Sequence, residues 1–585
     1  MSDISDKRVN ISNDNPSIVF DKSRCDECGI CKNICEYNIG VYGYSNLDYP
    51  CINCGSCTIM CPNKCLSERD ETSKLREYLH SNKIIVMQTA PAVRISIGEE
   101  FGLKPGVNVQ GKLVSALRKI GADYVFDTTF GADLTVMEEA NELVNRLLDN
   151  KKLPMFTSCC PSWVKFCEMF YPEYLNNLST CRSPISMQGA MINNYFCKVN
   201  NIKREDIISI AIVPCTSKKM EILKFDEIDL AITTRELAKY LKEEKINLAK
   251  LKNSNYNSLL GKGSGGGIIF GTSGGVMEST LREVYHILNK RYPKGRLLNF
   301  KEVRGLSNVK EASITINSNI IKVASINGTG DARKIIEKIK NGEVYYDFIE
   351  VMTCEGGCIS GGGQPRIYPI TNHIKNKRMN ALYKSDKKMK IRCASLNPDI
   401  KDIYDNFLGE VGSDVAIKYL HTTYVNRKDE KIMKDIMKIA IEEARKTMNE
   451  NKGGPFGAVI TDMEGNIISV ASNLVLEKHD PTAHAEIMAI RKAGEKLGTH
   501  DLSGCILYAT GYPCPMCLSA IVWANIKKVY YGTNLKDAEN IGFRDDFIYN
   551  YLNNKDENTL KLIELDHNDC LELFNEYKEK DKEIY

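Results

Sequence analysis

The 585-residue sequence lacks a dominant charge of either sign: 78 Lys and Arg stand against 75 Asp and Glu, a formal +3. That balance argues against nucleic acid or an anionic membrane surface as the chief partner. Long hydrophobic runs are also missing, since nothing approaches the roughly 20 apolar residues that span a bilayer. The opening MSDISDKRVN has no apolar core of a secretory signal. A cytoplasmic location without a membrane is therefore the expectation. No GxxxxGK[ST] phosphate loop occurs, nor any low-complexity tract or internal repeat apart from paired Cys motifs. What the chain does have is cysteine, 22 in all, nine of them between Cys25 and Cys65. In a long chain without a signal peptide, this usage points to metal sites before disulfides.

The length exceeds a single core, and composition shifts divide the chain into residues 1–75, 76–425 and 426–585. The first stretch is Cys-dense with little helical periodicity, so clusters rather than an apolar core are expected to hold it. The second alternates strand-like runs (KIIVMQTA, ISIAIVP, YDFIEVMT) with helical ones (LTVMEEANELVNRLLDN, TTRELAKYLKEEK), which predicts α/β architecture with parallel strands. Within it, GKGSGGGIIFGTSGG at 261–275 reads as a loop of close backbone approach. The third begins with an amphipathic helix, IMKDIMKIAIEEARKTMNE, followed by alternating strands and helices of ordinary single-domain size.

Cys25, Cys28, Cys31 and Cys35 follow C-x2-C-x2-C-x3-C, and Cys51, Cys54, Cys57 and Cys61 repeat it with Pro62 behind. In this two-cluster run the fourth Cys of each motif reaches the other cluster. Cys25, Cys28, Cys31 and Cys61 then hold one [4Fe–4S] cluster, and Cys51, Cys54, Cys57 and Cys35 the other. Structural zinc also takes four thiolates, but eight cysteines in doubled order favour iron–sulfur. Cys65 is left as a spare.

Three further motifs, TSCCPSW, VPCTSKKME and MTCEGGCISGGGQP, each follow a strand-like run. Strand ends would bring them together, pooling Cys160, Cys215, Cys354 and Cys358 for one more cubane. Gly356, Gly357 and Gly361–Gly363 would let backbone pack against a bulky inorganic group. These motifs together resemble the signature of the iron-only ([FeFe]) hydrogenases over residues ~20–425. The resemblance implies a two-lobed α/β catalytic domain behind a two-cluster ferredoxin module. It implies an H-cluster, in which Cys358 joins the cubane to a di-iron subsite carrying CO, cyanide and a dithiolate bridge, where protons and H2 interconvert. Electrons would come from ferredoxin or a similar carrier, and maturation proteins would supply the subsite. Lys218 matches the lysine bonded to a cyanide and Met352 the methionine beside the bridging CO, with Ala90 and Pro91 against the subsite. Cys159, Glu139, Ser179, Glu142 and Arg146 match the family's proton relay. Glu139, Glu142 and Arg146 share one helix face, which taken alone suits an ordinary ion-paired surface. Val213, Ile185 and Ala92 depart from the residues usual at their positions, which bears on rate and oxygen sensitivity. A sensory role remains the alternative to turnover. Cys167, Cys181, Cys197 and Cys393 fit no motif and read as small buried hydrophobes.

His484-Ala-Glu486 and Pro513-Cys514-Pro-Met-Cys517 form the H-x-E…P-C-x-x-C pattern of zinc deaminases. His484, Cys514 and Cys517 would leave the fourth zinc position for water, whose pKa the metal lowers, and Glu486 would move its proton. Over 426–585 the sequence resembles the cytidine-deaminase-fold guanine deaminases, with GGPFGAVI, SNLVLEKHDPTAHAE, PCPMCLSAI, GFRDDFIY and a terminal Tyr585. The resemblance implies an α/β/α three-layer domain. In it Asn473 would hydrogen-bond the purine, Phe456 would stack on it, Asp545 would assist proton transfer and Tyr585 would close the pocket, often that of a partner subunit in a homodimer. Tyr512 departs from a usual Glu, and a tRNA-adenosine deaminase, which shares both motifs, stays open as the rival. Deamination consumes no electrons, so no chemical coupling to the first site is expected; purine fermentation in an anaerobe would explain the fusion.

Overall fold

The computed structural model describes residues 7–45, 49–366, 371–428, 430–554, 560 and 567–578. The chain divides into two compact units, Met1–Lys428 and Asp429–Tyr585.

In the first unit, Ile18–Phe20 (β1) and Leu66–Glu68 (β2) pair antiparallel and bracket the first eight motif cysteines. Short helices at Ile30–Asn33 and Ser56–Met60 each begin after a left-handed glycine, Gly29 and Gly55. The expectation that clusters alone hold this stretch needs correction. Val9, Ile18, Cys57 and Leu66 form a small core. Ile39, Val41, Ile52 and Cys54 belong to a larger one with Phe156, Trp163 and Phe166.

The remaining strands of this unit are Ile84–Thr89 (β3), Tyr124–Asp127 (β4), Met155–Phe156 (β5), Ile207–Val213 (β6), Leu230–Thr233 (β7), Val309–Ile316 (β8), Asn319–Asn327 (β9) and Phe348–Met352 (β10). They build two sheets, β4-β3-β6-β7 and β5-β10-β9-β8. The first is parallel throughout, and its strands are apolar on both faces, as sheets covered on both sides require. The second departs from the parallel expectation, because β8 and β9 form an antiparallel hairpin. Its two-residue turn, Asn317–Ser318, takes positive φ at both positions, the twist-compatible primed geometry.

The glycine-rich segment is also not a simple loop. Gly265–Ile269 is a helical turn, with Ser264 Oγ accepting from Gly267 N–H at 3.3 Å. Close approach is nonetheless its purpose: a Cβ on Gly267 would lie 2.5 Å from Thr129 O, and one on Gly265 2.2 Å from Asp386 Oδ1. The helix Thr234–Glu243 is set by a capping box between Thr233 and Glu236. Helix Asn372–Lys388 is anchored by buried ion pairs, Asp386 to Arg282 at 3.0 Å and Arg378 to Glu99 at 2.6 Å. Arg378 also donates to Ile359 O at 2.8 Å, tying this helix to the loop that bears Cys358.

In the second unit, Gly457–Asp462 (β11), Ile467–Ser472 (β12), Cys505–Gly511 (β13) and Lys528–Thr533 (β14) form the sheet β12-β11-β13-β14. Only the β13–β14 pair is parallel. Helix Glu430–Asn449 places Ile436 and Ala440 against Val459, Ile506 and Tyr508. Helix Ala485–Leu497 places Ala485, Met488 and Ala489 against Ala458, Ile460, Leu507 and Ala509. Neighbouring sheet residues thus turn to different helices, as the pleat dictates. No helix among the described residues is long and apolar enough to cross a membrane.

Candidate active sites

The carboxyl ends of both sheets of the first unit meet at one apolar cavity. Ala90 and Pro91 enter it just past β3, Thr128 past β4, Cys159 and Cys160 past β5, Cys215 past β6, and Cys354 and Cys358 past β10. This is where open α/β sheets place ligands. Lys218, Met352, Ala92, Ile185 and Val213 also line it. The four cysteines that the sequence reading pooled are therefore brought together. Burial, then the charges of Cys215, Cys54, Cys160 and Cys358, push the Cys354 thiol well above its ordinary value. Four cysteines converging on one buried, apolar cavity fit a site built to surround a cationic iron core.

The glycines of MTCEGGCISGGGQP serve mainly to bring loops together. A Cβ on Gly357 would fall 2.7 Å from Ser273 N, and one on Gly361 2.4 Å from Pro214 O. A Cβ on Gly362 would fall 2.5 Å from Cys54 O, and one on Gly363 2.6 Å from Thr233 Cβ. Gly357 and Gly361 line the cavity as well. The Gly362 contact seats the second cysteine motif against the cavity wall, where Thr216 Oγ1 donates to Asn53 O at 2.8 Å and Thr58 Oγ1 to Gly362 O at 3.0 Å. Substituting Gly362→Ala forces a methyl into backbone. It is expected to cost about 1–3 kcal/mol, seen as a lower thermal midpoint of the cluster-loaded chain; an unchanged midpoint would mean the loops do not pack this way.

Within the N-terminal stretch, Cys35 feels the charges of Cys54 and Cys51 ahead of that of Cys31, and Cys57 those of Cys54, Cys51 and Cys35. Cys31 instead neighbours Cys61 and Cys25. Cys28 is exposed. Cys65, set aside as a spare, lies buried with its sulfur 3.0 Å from that of Cys61. Cys167 and Cys197 are buried in apolar clusters, whereas Cys393 is buried within reach of the charges of Glu283 and Arg282.

Lys218 is buried, and its ammonium pairs with Glu221 Oε2 at 2.5 Å and donates to Cys159 O at 3.3 Å. Burial disfavours its charge, but the Glu221 carboxylate outweighs burial and holds the pKa above its ordinary value.

Leading away from Cys159 is helix Thr129–Asp149, which carries Glu139, Glu142 and Arg146. Burial, then the nearby Glu139 carboxylate, pushes the Cys159 thiol well up. Glu139 is fully buried; its Oε2 accepts from Thr280 Oγ1 at 3.2 Å, and its Oε1 has no hydrogen-bond partner. Burial and the Glu142 charge push its pKa up to about 8. The Ser179 hydroxyl donates to Glu142 Oε2 at 3.1 Å and also favours the charged form of Glu139. Arg146 holds Glu142 Oε1 at 2.5 Å and donates to Leu178 O at 2.8 Å. Glu142, Arg146 and Thr180 line a surface cleft with His421.

Sequence reasoning missed the surroundings of Glu142. Thr180 donates to its Oε2 from N–H at 2.9 Å and from Oγ1 at 3.1 Å. His421 Nδ1 lies 2.7 Å from Thr180 Oγ1, and its Nε2 3.1 Å from Glu138 Oε2. Cys181 is buried as expected, yet its sulfur lies 4.0 Å from Glu142 Oε2, so it is more than core filling.

In the second unit, two helix starts face one point. His484 is the N-cap of helix Ala485–Leu497 and Cys514 that of Pro515–Trp523. The dipole of each favours anionic ligands there. His484 Nδ1 lies 3.5 Å from Cys514 Sγ and 3.6 Å from Cys517 Sγ, a three-ligand set of catalytic-zinc type. The hydrogen bond between the cysteines favours thiolate at Cys514, lowering its pKa, and thiol at Cys517, raising its pKa. Glu486 is buried with Oε2 3.5 Å from Cys517 Sγ, and burial raises its pKa. The Asp545 charge reaches His484. Phe456 meets Phe543 edge-on at 4.9 Å. Asn473 Oδ1 accepts from Gly454 N–H at 3.3 Å and Val475 N–H at 3.2 Å, fixing the turn after β12. Tyr585 lies outside the described residues.

Three family models match. Residues 83–362 match the iron only hydrogenase large subunit, C-terminal domain, and 372–427 the iron hydrogenase small subunit. Residues 430–533 match the cytidine and deoxycytidylate deaminase zinc-binding region. The chain is 38% identical over 447 residues to iron hydrogenase 1 of Clostridium pasteurianum, covering 72% of this chain and 78% of that protein. It is 37% identical over 443 residues to the NADP-reducing hydrogenase subunit HndD of Solidesulfovibrio fructosivorans, covering 70% and 75%. The solved structure of a variant of [FeFe]-hydrogenase HydA1 from Chlamydomonas reinhardtii aligns with a TM-score of 0.56 at 37% identity, over 61% of this chain and 99% of that one. The cofactors that go with these matches are an H-cluster, [4Fe–4S] clusters and Zn2+. The converging cysteines and the two-sheet scaffold around them agree with those matches, and the chain belongs to the iron-only hydrogenase family, with a zinc domain of the cytidine-deaminase family fused behind it.

Proposed function

We propose that the chain interconverts protons and H2 with electrons that pass from a ferredoxin-like carrier through two [4Fe–4S] clusters, and that its zinc domain converts guanine to xanthine and ammonia. The observation that carries the first half is the cavity where Cys160, Cys215, Cys354 and Cys358 meet beside a buried carboxylate chain leading to a surface cleft. In this reading these four cysteines would hold the H-cluster, with Cys358 shared with its subsite, which would supply hydride and proton chemistry when bound. Lys218 and Met352, which line the cavity, would orient a polar ligand of the subsite and pack beside it, respectively. Cys159, Glu139, Ser179, Glu142 and Arg146 carry protons between the cavity and solvent, with the Ser179 hydroxyl turning between the two carboxylates. The neighbours found for Cys35 support the crossed assignment, with Cys25, Cys28, Cys31 and Cys61 on one cluster and Cys35, Cys51, Cys54 and Cys57 on the other. Cys54 also neighbours Cys354, which supports electron entry at that point. Domains at 1–75, 76–425 and 426–585 fit this division of labour.

In the zinc domain, His484, Cys514 and Cys517 hold the metal and Glu486 moves the proton, with Asp545 assisting. Phe456 and Asn473 bound the purine side, and the helices packed against alternate sheet residues suit an α/β/α layering. The tests are direct. Anaerobically matured chain should show CO and cyanide infrared bands, evolve H2 from reduced ferredoxin, and release ammonia from guanine. Feeble H2 turnover with intact bands would favour a sensor, and deamination of tRNA adenosine but not guanine would displace the purine assignment.

A further inference from the structure

Among the described residues, two sets of three ligating side chains bring their ligand atoms within 4.8 Å of one another. One is the zinc triad of the second unit. The other is Glu142, Cys181 and His421 in the first unit, a carboxylate, a thiol and an imidazole that no part of the proton chemistry uses together. This donor mixture suits zinc and similar late divalent cations. We infer that Glu142, Cys181 and His421 form a binding site for a divalent transition-metal cation, whose occupancy closes the proton exit from the hydrogen-converting cavity.

The surroundings are arranged as for a metal histidine. Glu138 Oε2 faces His421 Nε2 at 3.1 Å, the carboxylate partner that orients a ligating imidazole, and a cation at Nδ1 would replace its 2.7 Å contact with Thr180 Oγ1. Nδ1 shares Thr180 with the Glu142 carboxylate. Glu138 is itself held by Tyr404 OH at 2.6 Å and Gly412 N–H at 3.0 Å. The Arg146 guanidinium opposes a cation, but it occupies Oε1 of Glu142, whereas Cys181 and Thr180 face Oε2. Zinc bond lengths require the three atoms to draw in by roughly 1 Å, within reach of side-chain rotation. Glu142, Thr180 and His421 line the surface cleft, so the ion has a way in.

The consequence for turnover rests on the relay reading above. A cation on Glu142 Oε2 keeps that carboxylate ionised and removes it as the acceptor of the Ser179 hydroxyl. The test uses the full chain with its clusters and deaminase zinc in place, titrated with Zn2+ by calorimetry under anaerobic conditions, while H2 evolution is followed in parallel. One additional equivalent per chain is expected, with the rate falling about tenfold or more at saturation and recovering on chelation. Cys181→Ala and His421→Asn should each abolish the additional heat, and each variant's rate, normalised to its own value in chelator, should no longer respond to Zn2+. Infrared bands of each variant verify that the clusters are assembled. No additional equivalent, or one that survives both substitutions, overturns the site. Saturated binding with an unchanged rate overturns the gating. A failed relay would show instead in the Glu139 variant and would leave the calorimetric site untouched.

Discussion

Glu139→Gln is expected to lower H2 evolution by about 10²–10⁴-fold while the CO and cyanide infrared bands stay as in the parent. The geometry explains the size. Of the two carboxylates in the proposed relay Glu139 is the wholly buried one, one of its oxygens has no hydrogen-bond partner, and it neighbours both Cys159 and Ser179. Gln keeps the acceptor for Thr280 but cannot take up a proton. Parent-like turnover in the variant would sink the relay. The same substitution carries a stability signature. The folded Glu139 has a pKa of about 8 against an ordinary 4.5. Between those values the unfolded chain releases the proton and the folded chain keeps it. Stability therefore falls as pH rises through that window and levels off above about 8. The Gln variant should lose this slope, which unfolding measured at several pH values would show.

Glu486→Gln is expected to reduce deamination by about 10²–10⁴-fold with one zinc per chain retained. Glu486 is buried beside Cys517 but is not one of the three residues that converge as ligands. The amide fills the same space and leaves His484, Cys514 and Cys517 untouched. Metal analysis separates the two roles: loss of zinc with loss of activity would make Glu486 a structural support and not the proton carrier.

Much of the site was legible because metal ligands obey local spacing. C-x2-C-x2-C-x3-C, H-x-E and P-C-x-x-C each place several ligands within a few residues, and those sites could be read directly. Cys160, Cys215, Cys354 and Cys358 could be pooled only because each follows an apolar run whose end the sheets bring to one cavity. What escaped depends on contacts between distant residues. Thr180 and His421 are 241 positions apart in their hydrogen bond, and nothing local to HTTY announces it. The antiparallel hairpin had a local signal that went unread, since Asn317–Ser318 divides two β-rich runs. The helical turn at Gly265–Ile269 was hidden by glycine's poor helix propensity, which here yields to the tight seating of the segment against Thr129 and Asp386.

The shared core beneath the N-terminal cysteines bears on how this molecule can be taken apart. Ile39, Val41 and Ile52 belong to one apolar cluster with Phe156, Trp163 and Phe166. A chain begun at residue 76 would strip those aliphatic side chains from the cluster and expose apolar surface of the sort that drives association. The N-terminal cysteine stretch thus shares its neighbour's interior, and replacing it with another module means rebuilding that seam.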